Sequence, residues 1–166
     1  MIMEPKYTVH SRYTQKEAIR FNRALLFNVW HLKKTIIISN VALLVMIVTS
    51  IIAHNYMFAI SLVLALAVFN WYFFLGVDQK AARAYQKNKQ IQDHEFVFHF
   101  YDDQYESAAA DGTVSSVPYS TLHKIIETPT NIYILHAPTV GTIIQKDNCT
   151  ADFIDFIHYI KNRYNL

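Results

Sequence analysis

A long uncharged stretch separates two polar parts of the chain. Residues 35–77 contain no Lys, Arg, Asp or Glu, and His54-Asn55 interrupts their apolar character near the middle. As α-helices, residues 35–53 and 56–77 would rise about 28 Å and about 33 Å, and each matches a hydrocarbon core of roughly 30 Å. A surface helix of a soluble domain would carry charges on one face. The pattern therefore predicts a transmembrane helical hairpin, with a pair of soluble core helices as the alternative.

The distribution of charge predicts how this hairpin is oriented. Eight basic side chains flank the uncharged stretch, and the turn between its halves has none; they are Arg20, Arg23, Lys33, Lys34, Lys80, Arg83, Lys87 and Lys89. By the positive-inside rule, both termini are expected on the cytoplasmic side of a multi-pass protein in the cytoplasmic (inner) membrane. The apolar run begins too late, and is too long, for a cleaved signal peptide.

The segments around the apolar stretch predict a single domain interrupted by the hairpin. In residues 1–13, Tyr7 and Val9 alternate as in a short strand. Thr14 and Glu17 match a helix capping box, in which the Glu17 carboxylate returns a bond to Thr14. We expect one long helix from about Gln15 to Ala53, within a helical hairpin of residues 14–90. The first half of that helix would rest on the membrane surface or, more commonly, on the carboxy-terminal domain.

Residues 91–166 predict a small β domain closed by a helix. Phe96, Phe98 and Phe100 alternate as on one face of a strand, and Asp111-Gly112 is a strong hairpin signal. Short β-prone runs follow, and the last segment carries an apolar stripe at helical spacing: Phe153, Phe156, Ile157, Ile160 and Tyr164. The expected fold is a bent antiparallel sheet or barrel capped by the carboxy-terminal helix. Residues 1–13 would join it, which gives an α+β membrane protein overall.

Two sets of side chains are candidates for a role at the membrane. Amphipathic rings and cations near the ends of the spans predict contact with the interface of the lipid bilayer; these are Trp30, Lys33, Lys34, Trp71, Tyr72, Lys80 and Arg83. Asn40 and Asn70 lie at similar depth and are expected to bond each other across the hairpin. Ionisable groups, which a transport path would require, do not occur within the spans.

The order of segments resembles a known family. KYTVHSRYTQKEAIRFN precedes the paired spans, and PYSTLHKIIET, IYILH and TIIQKDNCTADFIDFIHYIK follow them. These segments resemble the YcxB-like family of small bacterial membrane proteins, although Gln145-Lys146 stands where that family usually has Pro-Lys. The resemblance implies a pleckstrin-homology-like (PH-like) domain on a two-helix anchor, and it implies no established activity.

The sequence lacks the usual signatures of catalysis. His94-Glu95 has Phe98 where a zincin needs its second histidine, and three glycines are too few for a phosphate loop or a dinucleotide fingerprint. A metal set such as His99, His123 and His136 would require a coincidence of folding. Cys149 has no neighbouring cation in sequence that would favour the thiolate. We therefore expect no catalytic, cofactor or metal site, and no enzyme.

The functional hypothesis is a membrane-anchored, non-enzymatic module. Exposed sheet edges would accept another protein, in a regulatory or protective (immunity) role. Residues 91–166 carry ten acidic and four basic side chains, which disfavours nucleic acid as a partner. The alternatives are a tethered domain that binds an apolar small molecule or a lipid tail between Phe96–Phe100 and Phe153–Ile160, and a homo-oligomeric structural membrane protein.

Overall fold

The structure is a computed structural model that describes residues 4–29, 32–89, 92–108 and 113–166. Its strands are β1 Tyr7–Arg12, β2 Glu95–Phe100, β3 Gln104–Ala108, β4 Val114–Pro118, β5 Lys124–Glu127, β6 Asn131–Ala137 and β7 Val140–Gln145. Its helices are α1 Gln15–Asn28, α2 Leu32–Ile52, α3 Tyr56–Trp71, α4 Val77–Lys87 and α5 Ala151–Tyr164. A π-helical turn at Tyr72–Gly76 joins α3 to α4. The predicted hairpin turn at Asp111-Gly112 and the predicted interface residue Trp30 lie outside the described residues.

The strands form two antiparallel sheets, in an α+β fold. The first has the order β1-β2-β3-β4 and the second β5-β6-β7. β1 pairs with β2 along its whole length, from Tyr7 opposite Phe100 to Arg12 opposite Glu95. The expected single bent sheet or barrel is thus replaced by two sheets. The reason lies after β4, where Pro118 has no N–H to continue a ladder and a 3₁₀ turn redirects the chain towards β5.

The main core lies between the two sheets and α5. Phe98, Phe100 and Phe153 are buried in it, and the rings of Phe100 and Phe153 meet edge to face with centroids 4.8 Å apart. Tyr119 is also buried there, and its hydroxyl donates to the Tyr101 carbonyl at 2.9 Å. At Phe100 and Phe153, aromatic rings therefore fill the space between β2 and α5 in which a small apolar ligand was an alternative expectation.

A second core lies on the outer face of the β5-β6-β7 sheet, where α1 covers it. It contains Ala24, Leu25, Ile126, Tyr133, Leu135 and Ile143. Because Ile132 and Ile134 face the main core while Tyr133 and Leu135 face α1, β6 is buried on both sides. This explains the uninterrupted apolar run of residues 132–135 within it. The amphipathic helix α1 thus packs on the carboxy-terminal domain, which was the more common of the two arrangements expected from the sequence.

A buried polar contact accompanies this packing. Glu17, on the first turn of α1, is only 4% exposed, and Asn131 at the start of β6 is fully buried. The Glu17 carboxylate accepts from Arg20 at 2.7 Å and from the Asn131 amide. The Thr14 hydroxyl accepts from the Glu17 amide as a cap should, at 3.4 Å. The predicted return bond is wrong, because the carboxylate turns inward to Asn131 instead.

The remaining helices form a hairpin that α1 clasps at its base. α2 and α3 run antiparallel, joined by a turn in which His54 has a φ of 56° and the Asn55 side chain caps α3. Arg23 of α1 holds Asp78 of α4 with two bonds of 2.8 and 2.5 Å. The Tyr85 hydroxyl of α4 donates to the Tyr13 carbonyl at 3.1 Å.

The predicted continuous helix from Gln15 to Ala53 is described as two helices. α1 ends at Asn28, whose amide side chain turns back to the Ala24 carbonyl. α2 begins at Leu32, and residues 30 and 31 between them are not described. α1 packs along α4 and on the β5-β6-β7 sheet, and it also contacts α2.

We predict that Glu17→Ala lowers the free energy of unfolding by about 1–3 kcal/mol, because it leaves the buried Asn131 amide without its acceptor. The measurement is the thermal midpoint of the full chain in detergent, followed by circular dichroism. Lys16→Ala, an exposed neighbour on the same helical turn, is the matched control and should leave the midpoint unchanged. Equal midpoints for the two variants would contradict the role given to this contact.

Candidate functional site

The outward-facing apolar surface of the hairpin is the most unusual surface of the protein. α2 spans 21 residues with a mean hydropathy of 2.5, so its length and composition suit a membrane crossing. Only 6% of its apolar window is buried, whereas the core helix of a soluble protein is mostly buried. Side chains such as Ile38 (68% exposed) and Ile52 (72%) point away from the rest of the chain. α3 has the same character but is shorter, at 16 residues.

The π-helical turn accounts for the short length of α3. The predicted span of residues 56–77 is helical throughout, but Tyr72–Gly76 changes the hydrogen-bond spacing and divides it into α3 and α4. Such turns are inserted within α-helices and often mark functional positions. The Tyr72 ring lies against Gly76, where a Cβ would approach its Cδ2 to 3.2 Å. The chain therefore stays helical from the apolar stretch into α4.

Several predicted interface residues meet beside this turn. Trp71, Tyr72, Lys80 and Arg83 line one surface groove. The Lys80 ammonium donates to the Tyr72 hydroxyl at 2.5 Å and lies 5.1 Å from the centre of its ring. Trp71 is 70% exposed. This is a surface of amphipathic rings and cations along the segment where α3 passes into α4.

Lys33 and Lys34 lie at the corresponding level of α2. Lys33 lines a different groove, at the junction of α1, α2 and the π turn, together with Arg23. Lys34 is exposed. Among the described residues, neither lysine forms an ion pair, whereas Arg23 is paired with Asp78.

Asn40 and Asn70 face each other within the hairpin. The Asn40 amide donates to Asn70 at 3.2 Å, and the Asn70 amide donates back at 2.9 Å. Asn70 also donates to the Leu66 carbonyl at 2.8 Å. A reciprocal amide pair of this kind specifies the register of two otherwise apolar helices, because any slip would leave polar groups unpaired.

Within the domain, a polar cluster joins the two sheets. The Tyr105 hydroxyl of β3 lies 2.7 Å from His136 Nε2 on β6 and 2.9 Å from the Thr142 hydroxyl on β7. Burial raises the pKa of Tyr105 to about 12, so the phenol stays neutral. Burial also lowers the pKa of His136, which favours the neutral imidazole, and its unprotonated Nε2 can accept a hydrogen bond from the phenol. The cluster satisfies its own hydrogen bonds and connects the sheets.

The other reactive side chains have structural surroundings. Burial raises the pKa of the Cys149 thiol to about 11, and its sulfur lies 3.3 Å from the Gln145 carbonyl. His99 pairs with Thr8 across β1 and β2, far in sequence from the His136 cluster. No group of three or more His, Cys, Asp or Glu side chains in the described part of the chain is arranged to hold a metal ion.

The comparisons with known proteins bear on the β domain. Residues 100–160 match the YcxB-like protein family. The matched region runs from the last residue of β2 into α5, and it confirms the resemblance there. It does not include the hairpin. No curated protein and no solved structure matches the chain.

Several polar contacts between distant residues had no signal in the sequence. Tyr105, His136 and Thr142 lie on three strands from two sheets, and Asn131 reaches Glu17 from 114 residues away. Arg23 and Asp78 lie 55 residues apart on either side of the hairpin. Short-range patterns do not carry such pairings, and the capping-box pattern assigned the Glu17 carboxylate to Thr14 instead of Asn131.

We predict that the stability of the YcxB-like region falls as the pH drops through the ordinary histidine range near 6.5. The folded pKa of His136 is depressed, so the unfolded state binds the proton more readily and protonation favours unfolding. In His136→Gln this part of the pH dependence should disappear. The measurement is the thermal midpoint between pH 8 and pH 5.5.

His94→Gln is the matched control, since His94 is exposed and contacts the Gln92 carbonyl of its own loop. It should keep the pH dependence of the parent chain. A parent chain and His136→Gln with parallel pH profiles would show that His136 does not titrate on unfolding.

Proposed function

We infer that the protein is a two-span membrane protein whose β domain, on the cytoplasmic side, binds an extended segment of another protein without catalysing a reaction. The observation that carries this proposal is the pairing of β1 with β2. These strands lie on either side of the hairpin in sequence and belong to one sheet. The segments before and after the hairpin must therefore lie on the same side of any membrane.

This pairing favours two crossings over one. If α2 crosses a bilayer alone, β1 and β2 end on opposite sides and cannot form their ladder. The chain must return before Glu95, and residues 56–77 are the uncharged segment that can bring it back. As helix they extend about 33 Å, enough for a hydrocarbon core. Removal of the amino-terminal part as a signal sequence would strip β1 from the sheet and α1 from β6.

The orientation follows from the charges around the hairpin. Eight basic side chains flank the apolar helices on the side of the domain, and the turn at Ala53–Asn55 carries none. The positive-inside rule places such flanks in the cytoplasm. The seven strands of the described residues lie in two antiparallel sheets and are followed by α5, which supports a PH-like description of the domain.

We predict that single cysteines label according to this topology in a Cys149→Ser background. The native thiol is a poor reporter, because burial raises its pKa to about 11. Ala53→Cys, in the turn, should react with a membrane-impermeant maleimide in intact wall-less cells. Lys16→Cys and Asp155→Cys, exposed positions before and after the hairpin, should react only after permeabilisation. Different sides for Lys16→Cys and Asp155→Cys would rule out two crossings.

The surface best suited to a partner is the edge of β4 that faces away from β3, with which no other described strand pairs. The Tyr119 amide donates to the Asp103 carbonyl, so this pair and every second pair along the β3–β4 ladder exchange backbone bonds. Ser115 and Val117 then bond β3, while the backbone groups of Val114 and Ser116 point to the open edge. Val114–Ser116 are exposed. An extended peptide can add to such an edge as a further strand.

We predict that Ser116→Pro abolishes partner binding without disrupting the fold. Proline removes the N–H at the open edge and leaves the β3 ladder intact, whereas Ser115→Pro removes a ladder bond. A photo-crosslinker at Val114 should capture a protein that the parent chain co-purifies, and Ser116→Pro should lose it. A crosslinker at Val140 is the matched control, since both valines are 59% exposed. Capture at Val140 alone, or unchanged binding by Ser116→Pro, would contradict the proposal.

A further inference from the structure

The groove at the base of the hairpin has walls that are apolar on three sides. Helices α1 and α2 converge there with the π turn and the start of α4, and they enclose about 270 Å³. Seven apolar side chains form the walls: Leu26, Phe27, Leu32, Ile36, Ile37, Phe73 and Val77. A dry cavity of about 150 Å³ already suffices for benzene, and whole drug-sized ligands need roughly 300 Å³ or more. The groove therefore suits a segment of one hydrocarbon chain.

The position of the groove gives it an apolar end and a cationic end. The Asn40–Asn70 pair fixes the register of the hairpin. Counting residues from that pair places Ile37 level with Phe73. It places Lys33 level with Val77, and both lie about 10 Å nearer the domain than the asparagine pair. Lys33 and Asp78 bound the uncharged stretch on the two helices. The groove thus crosses the boundary between the apolar hairpin and its charged base.

The rim of the groove carries two positive charges, and only one of them is neutralised by an ion pair among the described residues. Two cations line the groove, Arg23 and Lys33. The Arg23 guanidinium holds Asp78 with two bonds and is neutralised. Lys33 is exposed and forms no ion pair with any residue in the described part of the chain. A lysine ammonium acts as a point charge that binds phosphate.

The geometry points to a binding site for one anionic phospholipid, with an acyl chain in the groove and the headgroup phosphate on Lys33. An amphiphile with a net negative head and an apolar tail matches both ends of the groove at once. A soluble anion would leave the apolar walls exposed, and the phosphate of a zwitterionic lipid is already balanced by that lipid's own ammonium group. The site rests on the proposed insertion of the hairpin in a bilayer, and it adds a lipid preference which insertion alone does not require.

The test measures quenching by brominated lipids in vesicles. The full chain carries Trp30→Phe and Trp71→Phe, with a single reporter at Phe73→Trp in the groove. The matched reporter is Ile38→Trp, which lies on the exposed face of α2 outside the groove. Brominated phosphatidylglycerol should quench the groove reporter about fivefold more effectively than brominated phosphatidylcholine, the factor that one lysine beside an anionic surface supplies. Both lipids should quench the outer reporter equally.

Variants of two neighbouring lysines distinguish a specific lipid site from general electrostatic attraction to an anionic membrane. Lys33→Gln should remove the preference at the groove, and Lys33→Arg should restore it. Lys34→Gln deletes the same charge one residue away, outside the groove, and should keep the preference. Equal loss in Lys33→Gln and Lys34→Gln would overturn the site and leave only a diffuse electrostatic effect. Native mass spectrometry of the parent chain and both glutamine variants counts retained phosphatidylglycerol without any tryptophan reporter.

The outcomes also separate this site from the proposed function. Quenching of both reporters by both lipids, without preference, would overturn the site while supporting insertion. No quenching of either reporter would overturn insertion itself, and the site with it.

Discussion

The packing of α1 between the β5-β6-β7 sheet and α4 is the contact on which the rest of the structure depends. Leu25 and its neighbours cover the outer face of β6, so a strand that a two-layer domain would leave half exposed is buried on both sides. On its opposite side, α1 holds α4 through Arg23 and Asp78. One amphipathic helix therefore joins the apolar hairpin to the domain, and burial of apolar surface on both partners supplies the stabilisation.

This arrangement constrains how the hairpin and the domain move relative to each other. β1 and α1 precede the hairpin in the chain and pack in the domain. After the hairpin, α4 contacts the domain through the hydrogen bond from the Tyr85 hydroxyl to the Tyr13 carbonyl. Both ends of the hairpin are thus held by packing rather than by a free linker. In the proposed bilayer, the β4 edge would be presented at a set height and direction. The groove beside Lys33 lies at the same joint, so a bound lipid would contact α1 directly.

The buried polar groups serve this assembly. Glu17 and Asn131 pair across the α1–β6 contact, and Tyr105, His136 and Thr142 bridge the two sheets. Asn40 and Asn70 connect α2 to α3 within the hairpin. Each set joins polar groups from different elements, although the Asn131 side-chain oxygen is buried without a hydrogen-bond partner among the described residues. Buried polar networks of this kind help to specify one arrangement of the elements. These contacts connect elements of the fold, which agrees with the proposal of a binding module.

Local patterns in the sequence determined the elements, and long-range packing decided how they associate. The alternation of Phe96, Phe98 and Phe100 and the helical stripe at Phe153–Ile160 follow from the fixed geometry of strands and helices, and the YcxB-like match covers most of that region. Pro118 marks the end of β4 in the sequence, but the inward turn of Glu17 and the π turn after Trp71 were outside the reach of such patterns. Each arises from a contact between residues far apart or from a local change of hydrogen-bond spacing, and periodicity carries no information about either.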